Sequence, residues 1–60
     1  MTKKEQQVYK QIIEGLSNKE LALFFSISLS TVKNHVTSIL KKKNRATRAK
    51  LIVAYYLYEE

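Results

Sequence analysis

Hydrophobic residues recur at helical spacing along most of the 60-residue chain. Near its start they are separated by three or four positions, which predicts an amphipathic helix from about Lys3 to Glu14. The apolar stripe of this helix consists of Val8, Tyr9, Ile12, Ile13 and Leu16. Thr2 and Glu5 have the spacing of a capping box, and Gly15 supplies the left-handed residue that commonly ends a helix. The pattern therefore predicts both ends of the first helix.

Two further helices are indicated by residues that can cap them. Ser17 and Glu20 form a second capping box, which predicts a short helix that ends near residues 25–26. Its inner side carries Leu21, Ala22 and Phe25. A last helix is predicted to begin after Thr47 and to continue to Tyr58. Its β-branched and aromatic residues would also suit a buried strand, but an isolated strand cannot satisfy its backbone groups in so small a helical protein.

The segment between these helices presents a conflict. Residues 25–30 alternate apolar and polar side chains, as a half-buried strand does. No partner strand with matching alternation exists elsewhere in the sequence, and Ser28 is well placed to cap a helix. We therefore predict a third helix from Leu29 to about Lys42, where apolar residues again recur at spacings of three and four. These residues are Val32, Val36, Ile39 and Leu40.

The predicted elements define an all-α fold. It is a compact domain of four helices, in which the second and third form a central helix-turn-helix, and residues 1–60 make a single domain. Met1 is followed by a polar run, so no signal peptide is predicted, and the apolar run from Leu51 to Tyr58 is too short to span a bilayer. The sequence has no Cys, which fits a reducing cytosol, and a cytoplasmic location is expected.

Charge is distributed unevenly along the chain. Eleven Lys and Arg against five Glu and no Asp give a formal charge of +6. No acidic residue occurs from Leu21 to Tyr58. The basic residues of this interval are Lys33, Lys41, Lys42, Lys43, Arg45, Arg48 and Lys50. A patch of this kind attracts polyanions, most often nucleic acid and sometimes an anionic membrane surface.

The third helix divides cleanly on a helical wheel. Its outer side is polar and free of acids, and it carries Ser30, Lys33, Asn34, Thr37 and Lys41. Such side chains suit a major groove, since Lys can donate to guanine edges and Asn can pair bidentately with adenine. At the helix start, Ser28, Ser30 and Thr31 lie beside free backbone amides that favour a phosphate oxygen. These residues therefore predict a helix that reads DNA.

Several short motifs occur along the chain in an order and spacing that resemble those of a known family. They are Gly15-Leu16-Ser17-Asn18-Lys19-Glu20-Leu21-Ala22, Ile27-Ser28 and Thr31-Val32-Lys33-Asn34-His35, followed by Ile39, Lys42 and Arg48. Over nearly the whole chain, the sequence resembles the LuxR-type, or GerE-type, helix-turn-helix domain. The resemblance implies a four-helix domain of a bacterial transcription regulator that binds promoter DNA as a dimer, often after a receiver or ligand-sensing domain.

The resemblance also implies roles for individual residues. Lys33 and Asn34 fall on positions that contact bases, and Thr37 falls on another such position that often holds a longer residue. Four residues fall on positions near the phosphate backbone or at helix ends that face it: Lys19, Thr31, Lys42 and Arg48. Ser30 and Lys41, on the outer side of the third helix, are also expected to contact phosphate. An Arg at the start of the last helix could instead brace the fold. The only histidine, His35, is expected to pack or to contact phosphate rather than to bind a metal, because no further ligands are evident.

Two positions depart from the family's pattern. The family usually has a large aliphatic residue at the position of Lys43, and Val or a similar residue at that of Arg45. Lys43 falls on the inner side of the wheel, so its stem is expected to cover apolar surface while its ammonium reaches solvent. Looser packing between the last two helices, or a higher local affinity for DNA, would follow.

The last helix has more apolar residues than one inward stripe needs. Leu51, Ile52 and Tyr55 would share the face toward the core. The residues expected to turn elsewhere are Val53, Ala54 and Leu57. Because the family pairs two protomers through this helix, these three residues are predicted to form the interface of a weak homodimer.

Other functions fit parts of the pattern. No catalytic nucleophile with a base is suggested, and neither a cofactor nor a small-molecule ligand is expected. One alternative is the helix-turn-helix of an RNA-polymerase specificity factor, and another is a protein-interaction module that docks through the apolar last helix. A membrane-surface peptide is disfavoured, because basic and apolar segments are separated along the chain. The leading prediction is sequence-specific binding of double-stranded DNA in transcription regulation, at the bacterial nucleoid.

Overall fold

Four α-helices follow one another in the computed structural model, which describes residues 1–59. They are α1 (Lys3–Ile13), α2 (Asn18–Phe25), α3 (Leu29–Lys42) and α4 (Arg48–Ala54). No strand occurs in this part of the chain, so the all-α prediction and the rejection of a strand at residues 25–30 are confirmed. The predicted last helix is correct as far as Ala54, after which a π-helical turn spans Tyr55–Glu59. None of the helices described is long and apolar enough to cross a membrane.

Each α-helix begins at a hydroxyl side chain that accepts a hydrogen bond from the first turn. These residues are Thr2, Ser17, Ser28 and Thr47, in agreement with the prediction. At α1, the Glu5 N–H donates to Thr2 Oγ1 over 3.2 Å and the Thr2 N–H donates to Glu5 Oε1 over 2.9 Å. The start of α2 has the same reciprocal pair. Since each cap contributes roughly 1 kcal/mol, the caps matter greatly in a chain with so small a core.

Three of the helices are followed by a residue with positive φ. Gly15 follows α1 with φ of 99°, and Ser26 and Asn44 follow α2 and α3, each with φ of 56°. In every case the next N–H donates to the carbonyl five residues earlier, which joins Leu16 to Gln11, Ile27 to Ala22 and Arg45 to Leu40. This bond pairs a carbonyl of the last helical turn with the chain beyond the helix, where the chain turns sharply. The prediction for Gly15 is confirmed, whereas the left-handed Ser26 and Asn44 are findings of the structure.

The core lies where the four helices meet. Its fully buried side chains are Val8, Ile12, Leu21, Val32, Ile39 and Leu51. Each helix supplies at least one of them, and all were expected on inward faces from their spacing. Burial of one such aliphatic side chain contributes about 1.5–3 kcal/mol. The core therefore fixes which side of every helix faces solvent, and with it the surface of α3.

Candidate nucleic-acid interface

One side of α3 is exposed along the length of the helix. The buried Val32 and Ile39 hold the opposite side in the core. The exposed side carries Ser30, Lys33, Asn34, Thr37 and Lys41, as the helical wheel predicts. Within residues 1–59, no hydrogen bond or ion pair engages these side chains. Their donors and acceptors are available to a ligand, and we refer to these five residues as the α3 outer face.

The start of α3 lies directly after the turn from α2. Ser28 Oγ accepts from the Thr31 N–H over 3.1 Å and lies 2.9 Å from the Thr31 hydroxyl. The Thr31 side chain is half-buried, while Ser30 beside it is exposed. The first turn of a helix also carries the positive end of the helix dipole, which favours an anion. This end of α3 is thus suited to a phosphate oxygen, with Ser30 as the accessible hydroxyl.

The ammonium of Lys42 has a partner inside the protein. Lys42 Nζ lies 2.7 Å from Glu5 Oε1, although Glu5 belongs to α1 and is buried. Ser38 Oγ donates to the other carboxylate oxygen, and the Thr2 N–H donates to Oε1. Together these contacts, led by that with Lys42, hold the pKa of Glu5 well below its usual range. Glu5 therefore joins the start of α1 to the end of α3, in addition to its predicted role as a cap.

Sequence reasoning missed this use of Glu5, yet a signal for it exists. Glu5, Val8 and Ile12 follow the spacing of one helical stripe, and all three are buried. An acidic residue on a buried stripe needs a partner, because an unpaired charge is costly to bury. In a sequence this basic, the stripe predicts that a Lys or Arg from another helix reaches it.

Arg48 also donates to protein atoms. Its Nη1 donates to Asn18 Oδ1 over 2.5 Å, and Nη2 donates to the carbonyl of Leu16. Burial lowers the pKa of the guanidinium, which stays charged at neutral pH. These bonds tie the start of α4 to the connection between α1 and α2. Of the two roles that the sequence allows for Arg48, the structure therefore shows the brace.

Lys43 follows α3 and packs against an aromatic ring. The residue is half-buried, and its Nζ lies 4.8 Å from the centroid of the Tyr9 ring. Tyr9 in turn meets Tyr55 edge to face, with 6.1 Å between ring centroids. A cation over a ring is attracted by the negative face of the π system. Lys43 thus covers apolar surface, as expected from its place on the wheel.

The remaining predicted contacts differ in accessibility. Lys19 is exposed on α2, whereas His35 is half-buried at the border of α3. No group of three or more His, Cys, Asp or Glu residues gathers into a metal site within the described part of the chain. Two of the acids, Glu5 and Glu20, accept hydrogen bonds from the protein. Cationic side chains thus dominate the surface around α3.

A second surface lies along α4 and the π-helical turn that follows it. A shallow, largely apolar groove is lined by Arg45, Ala49, Lys50, Val53, Ala54, Leu57 and Tyr58. Val53 and Leu57 are 55% and 67% exposed, as expected for residues that turn away from the core. Ala54 is only 5% exposed, so the prediction that it turns away is wrong. Ala54 lies three residues after the buried Leu51, on the same helical stripe, and it also lines the groove.

The short α2, the tight turn through Ser26 and the outward polar side of α3 define a helix-turn-helix domain. Residues 1–55 match the family described as bacterial regulatory proteins, luxR family. The chain belongs to this family, which confirms the resemblance. The match supports DNA binding in transcription regulation. Between the two helix-turn-helix alternatives, the match favours this family over a polymerase specificity factor.

Proteins similar to this chain include response regulators and other transcriptional regulators. The chain is 39% identical over 56 residues to a nitrate/nitrite response regulator protein homolog of Haemophilus influenzae, which covers 93% of this chain and 27% of that protein. It is 34% identical over 55 residues to the nitrate/nitrite response regulator protein NarP of Escherichia coli, with coverage of 92% and 26%. Identity to the uncharacterized transcriptional regulatory protein YxjL of Bacillus subtilis is 42% over 52 residues, with coverage of 87% and 24%. The chain thus spans about a quarter of the length of these relatives, and no solved structure matches it.

Proposed function

We propose that the domain binds double-stranded DNA sequence-specifically, with α3 in the major groove. The observation that carries the proposal is the α3 outer face, whose side chains have no partner within residues 1–59 and no acid among them. An α-helix fits the major groove, and Lys, Asn and Thr offer the donors and acceptors that distinguish base pairs there. The domain acts on the bacterial chromosome in the cytoplasm.

Base contacts are assigned to Lys33, Asn34 and Thr37, which are exposed near the middle of the α3 outer face. The residues assigned to the phosphate backbone are Lys19, Ser30, Thr31, His35 and Lys41. Lys42 and Arg48 are assigned a mainly structural role, because each already bonds to another part of the protein. Their main role is to hold α3 and α4 in place, with any phosphate contact secondary.

The second part of the proposal is a weak homodimer through α4. Val53 and Leu57 are large, apolar and exposed, and they line one groove with the buried Ala54 as its floor. A two-fold pairing of α4 would cover them and would set the spacing between two copies of α3 for symmetric half-sites. The small apolar area makes the dimer weak in solution. Two half-sites on one duplex strengthen it by raising the effective concentration.

Selection of bound duplexes from a random pool tests sequence-specific binding. We expect enrichment of one motif, repeated with two-fold symmetry, and affinity that falls steeply with salt because phosphate contacts release counterions. Binding to the pool without enrichment would leave only general charge attraction. Absence of binding at low salt would remove the proposal altogether.

The dimer is tested by comparing full sites with single half-sites. Val53→Glu or Leu57→Glu should lower affinity for the full site while half-site affinity and helicity persist. Leu23→Glu is the matched control, because Leu23 is 75% exposed and does not line the α4 groove. Equal loss on both kinds of site, or no loss on either, would contradict the dimer.

A further inference from the structure

Three consecutive lysines lie at the end of α3, and each is in a different environment. Lys41 is exposed on the α3 outer face, whereas the Lys43 ammonium lies over the Tyr9 ring. The ammonium of Lys42 lies 2.7 Å from the buried Glu5 carboxylate, although 46% of the Lys42 side chain remains exposed. Lys42 is therefore held by an internal anion while its stem stays at the protein surface.

The Glu5 carboxylate is fixed in the fold by contacts that do not involve Lys42. Glu5 is buried on the same stripe of α1 as Val8. Its Oε1 accepts from the Thr2 N–H over 2.9 Å, and its Oε2 accepts from the Ser38 hydroxyl. A lysine ammonium, in contrast, lies at the end of a flexible stem of four carbon atoms. The anion is thus the fixed partner of the pair, and the ammonium is the movable one.

DNA would offer Lys42 a second acceptor of the same kind. Phosphate oxygens, like carboxylate oxygens, accept charge-assisted hydrogen bonds from an ammonium. Lys42 follows Lys41, which is assigned to the phosphate backbone, at the same end of α3. Glu5 and phosphate therefore compete for one ammonium. Glu5 has the advantage because it lies within hydrogen-bond distance before DNA arrives, so the pair needs no further ordering.

We propose that Glu5 is a positioning residue for DNA binding, which withholds the Lys42 ammonium from phosphate. This inference rests on the proposed function, since it concerns how many phosphates α3 neutralises in the groove. Phosphate contacts strengthen binding to every duplex, whereas base contacts distinguish one duplex from another. By withholding one sequence-independent contact, Glu5 lowers affinity for DNA in general and leaves the α3 outer face a larger share of the binding.

Removal of the Glu5 charge should therefore strengthen DNA binding. Glu5→Gln keeps the size and one acceptor oxygen of the side chain but loses the anion, which releases Lys42. On a random-sequence duplex, the slope of log affinity against log salt should steepen by about 0.9, the value for one phosphate contact. Between about 50 and 200 mM salt, the variant should lose roughly three- to fourfold more affinity than the native chain. A purely structural role predicts instead that binding weakens and that the slope does not steepen.

Three further variants separate release of Lys42 from other effects. Glu20→Gln is the matched control, because it changes the net charge equally but Glu20 engages no lysine within residues 1–59. Its slope should equal that of the native chain. Lys42→Met added to Glu5→Gln should return the slope to the native value. Ser38→Ala removes a hydrogen bond to Glu5 while the ion pair remains, so it should leave the slope unchanged.

A measurement on the native chain avoids any effect of substitution on folding. Isotope-labelled lysine side chains are followed by NMR during titration with the duplex. The ε-methylene signal of Lys41 should shift, while that of Lys42 should stay close to its position in the free chain.

Three results would overturn the role of Glu5. They are a Lys42 shift as large as that of Lys41, a Glu5→Gln slope no steeper than the native one, and equal steepening with Glu20→Gln. Failure of the native chain to bind any duplex at low salt is a different outcome, because it would reject the proposed function and this inference together.

Discussion

Lys41 and Lys42 are adjacent on α3 and lie in different environments. Lys41 is exposed on the α3 outer face, and its ammonium has no partner within the described residues. Lys42 points toward α1, where its ammonium contacts the buried carboxylate of Glu5. One residue along a helix is a rotation of about 100°, which brings the Lys42 ammonium to Glu5 although the Lys42 side chain remains 46% exposed. Basic residues in the acid-free part of this chain therefore serve two purposes.

The same contrast extends beyond α3. Lys33 is exposed like Lys41, whereas Arg48 and Lys43 contact protein groups as Lys42 does. A count of positive charges thus overstates the number of side chains available to DNA. What distinguishes the two groups is whether an acceptor or a ring from another helix lies within reach.

The largest effect is expected on the α3 outer face. Asn34→Ala or Lys33→Ala should each weaken binding to the preferred duplex by roughly 1–3 kcal/mol and relax its sequence preference, because base-edge hydrogen bonds are lost. Unfolding should be nearly unchanged, since both side chains are exposed. Competition assays with matched and mismatched duplexes measure this. A uniform loss across all duplexes would show that the outer face does not read bases.

The acid sensitivity of folding should depend on Glu5. Its pKa is lowered in the folded protein, chiefly by the hydrogen bond from Lys42, so the stability it contributes is present above the unfolded value of about 4.3. That stability is lost as the pH falls below this value. Glu5→Gln should remove about one proton from the uptake that accompanies acid unfolding. Denaturant titrations at several pH values give this number.

Glu20→Gln is the matched control for that measurement. Its pKa is also lowered, mainly by the backbone hydrogen bond from Ser17, but no other helix contacts its carboxylate. Glu20→Gln should weaken the cap of α2 without loosening α3. If both variants change acid unfolding and duplex affinity identically, the link from Glu5 to Lys42 has no special role.

Substitutions at two residues with positive φ change the backbone without altering either group of basic residues. Ser26→Gly should stabilise the domain by about 0.5–1 kcal/mol, because glycine adopts the left-handed conformation of the turn without steric cost. Gly15→Ala should destabilise it by about 1 kcal/mol through the backbone alone, since nothing lies within 4 Å of the added Cβ. Thermal unfolding measures both. Duplex affinity should stay constant, and a change in affinity would show that the turn tunes the placement of α3.

The smallest effect separates the two lysines directly. Lys41→Ala should reduce the slope of log affinity against log salt by about 0.9, the value for one phosphate contact. Lys42→Ala should change this slope little but lower the unfolding midpoint, because the buried Glu5 carboxylate loses its cationic partner. Affinity series over a range of salt give the slopes. Equal slopes for the two variants would show that the two lysines do not differ in their contact with phosphate.

Much of the fold follows from local sequence signals. The hydroxyl caps, Gly15 and the inward spacing of α3 are all local features, and the structure has them as predicted. The left-handed Ser26 was not foreseen because serine has no strong preference for that conformation, so its residue type gives no local signal for it. Local chemistry thus predicts where helices begin better than how each one ends.

In the candidate site, too, some features are set by one helix alone and others by the packing of two helices. The exposed residues of the α3 outer face follow from the period of one helix, so sequence predicts which they are. The pairing of Lys42 with Glu5 joins residues far apart in sequence and depends on how two helices pack. Ala54 differs, because it lies three residues after the buried Leu51, so the period of the helix itself places it toward the core.

The tyrosines that line the junction of α1 and α4 give the molecule an internal optical reporter. Tyr55 meets Tyr9 and Tyr56 edge to face, with centroids 6.1 Å and 5.4 Å away. The sequence contains no Trp, so these coupled rings dominate its near-ultraviolet circular dichroism. The signal reports the seating of the last helix on the first. Release of that helix can therefore be followed in the unlabelled protein while far-ultraviolet dichroism tracks total helix.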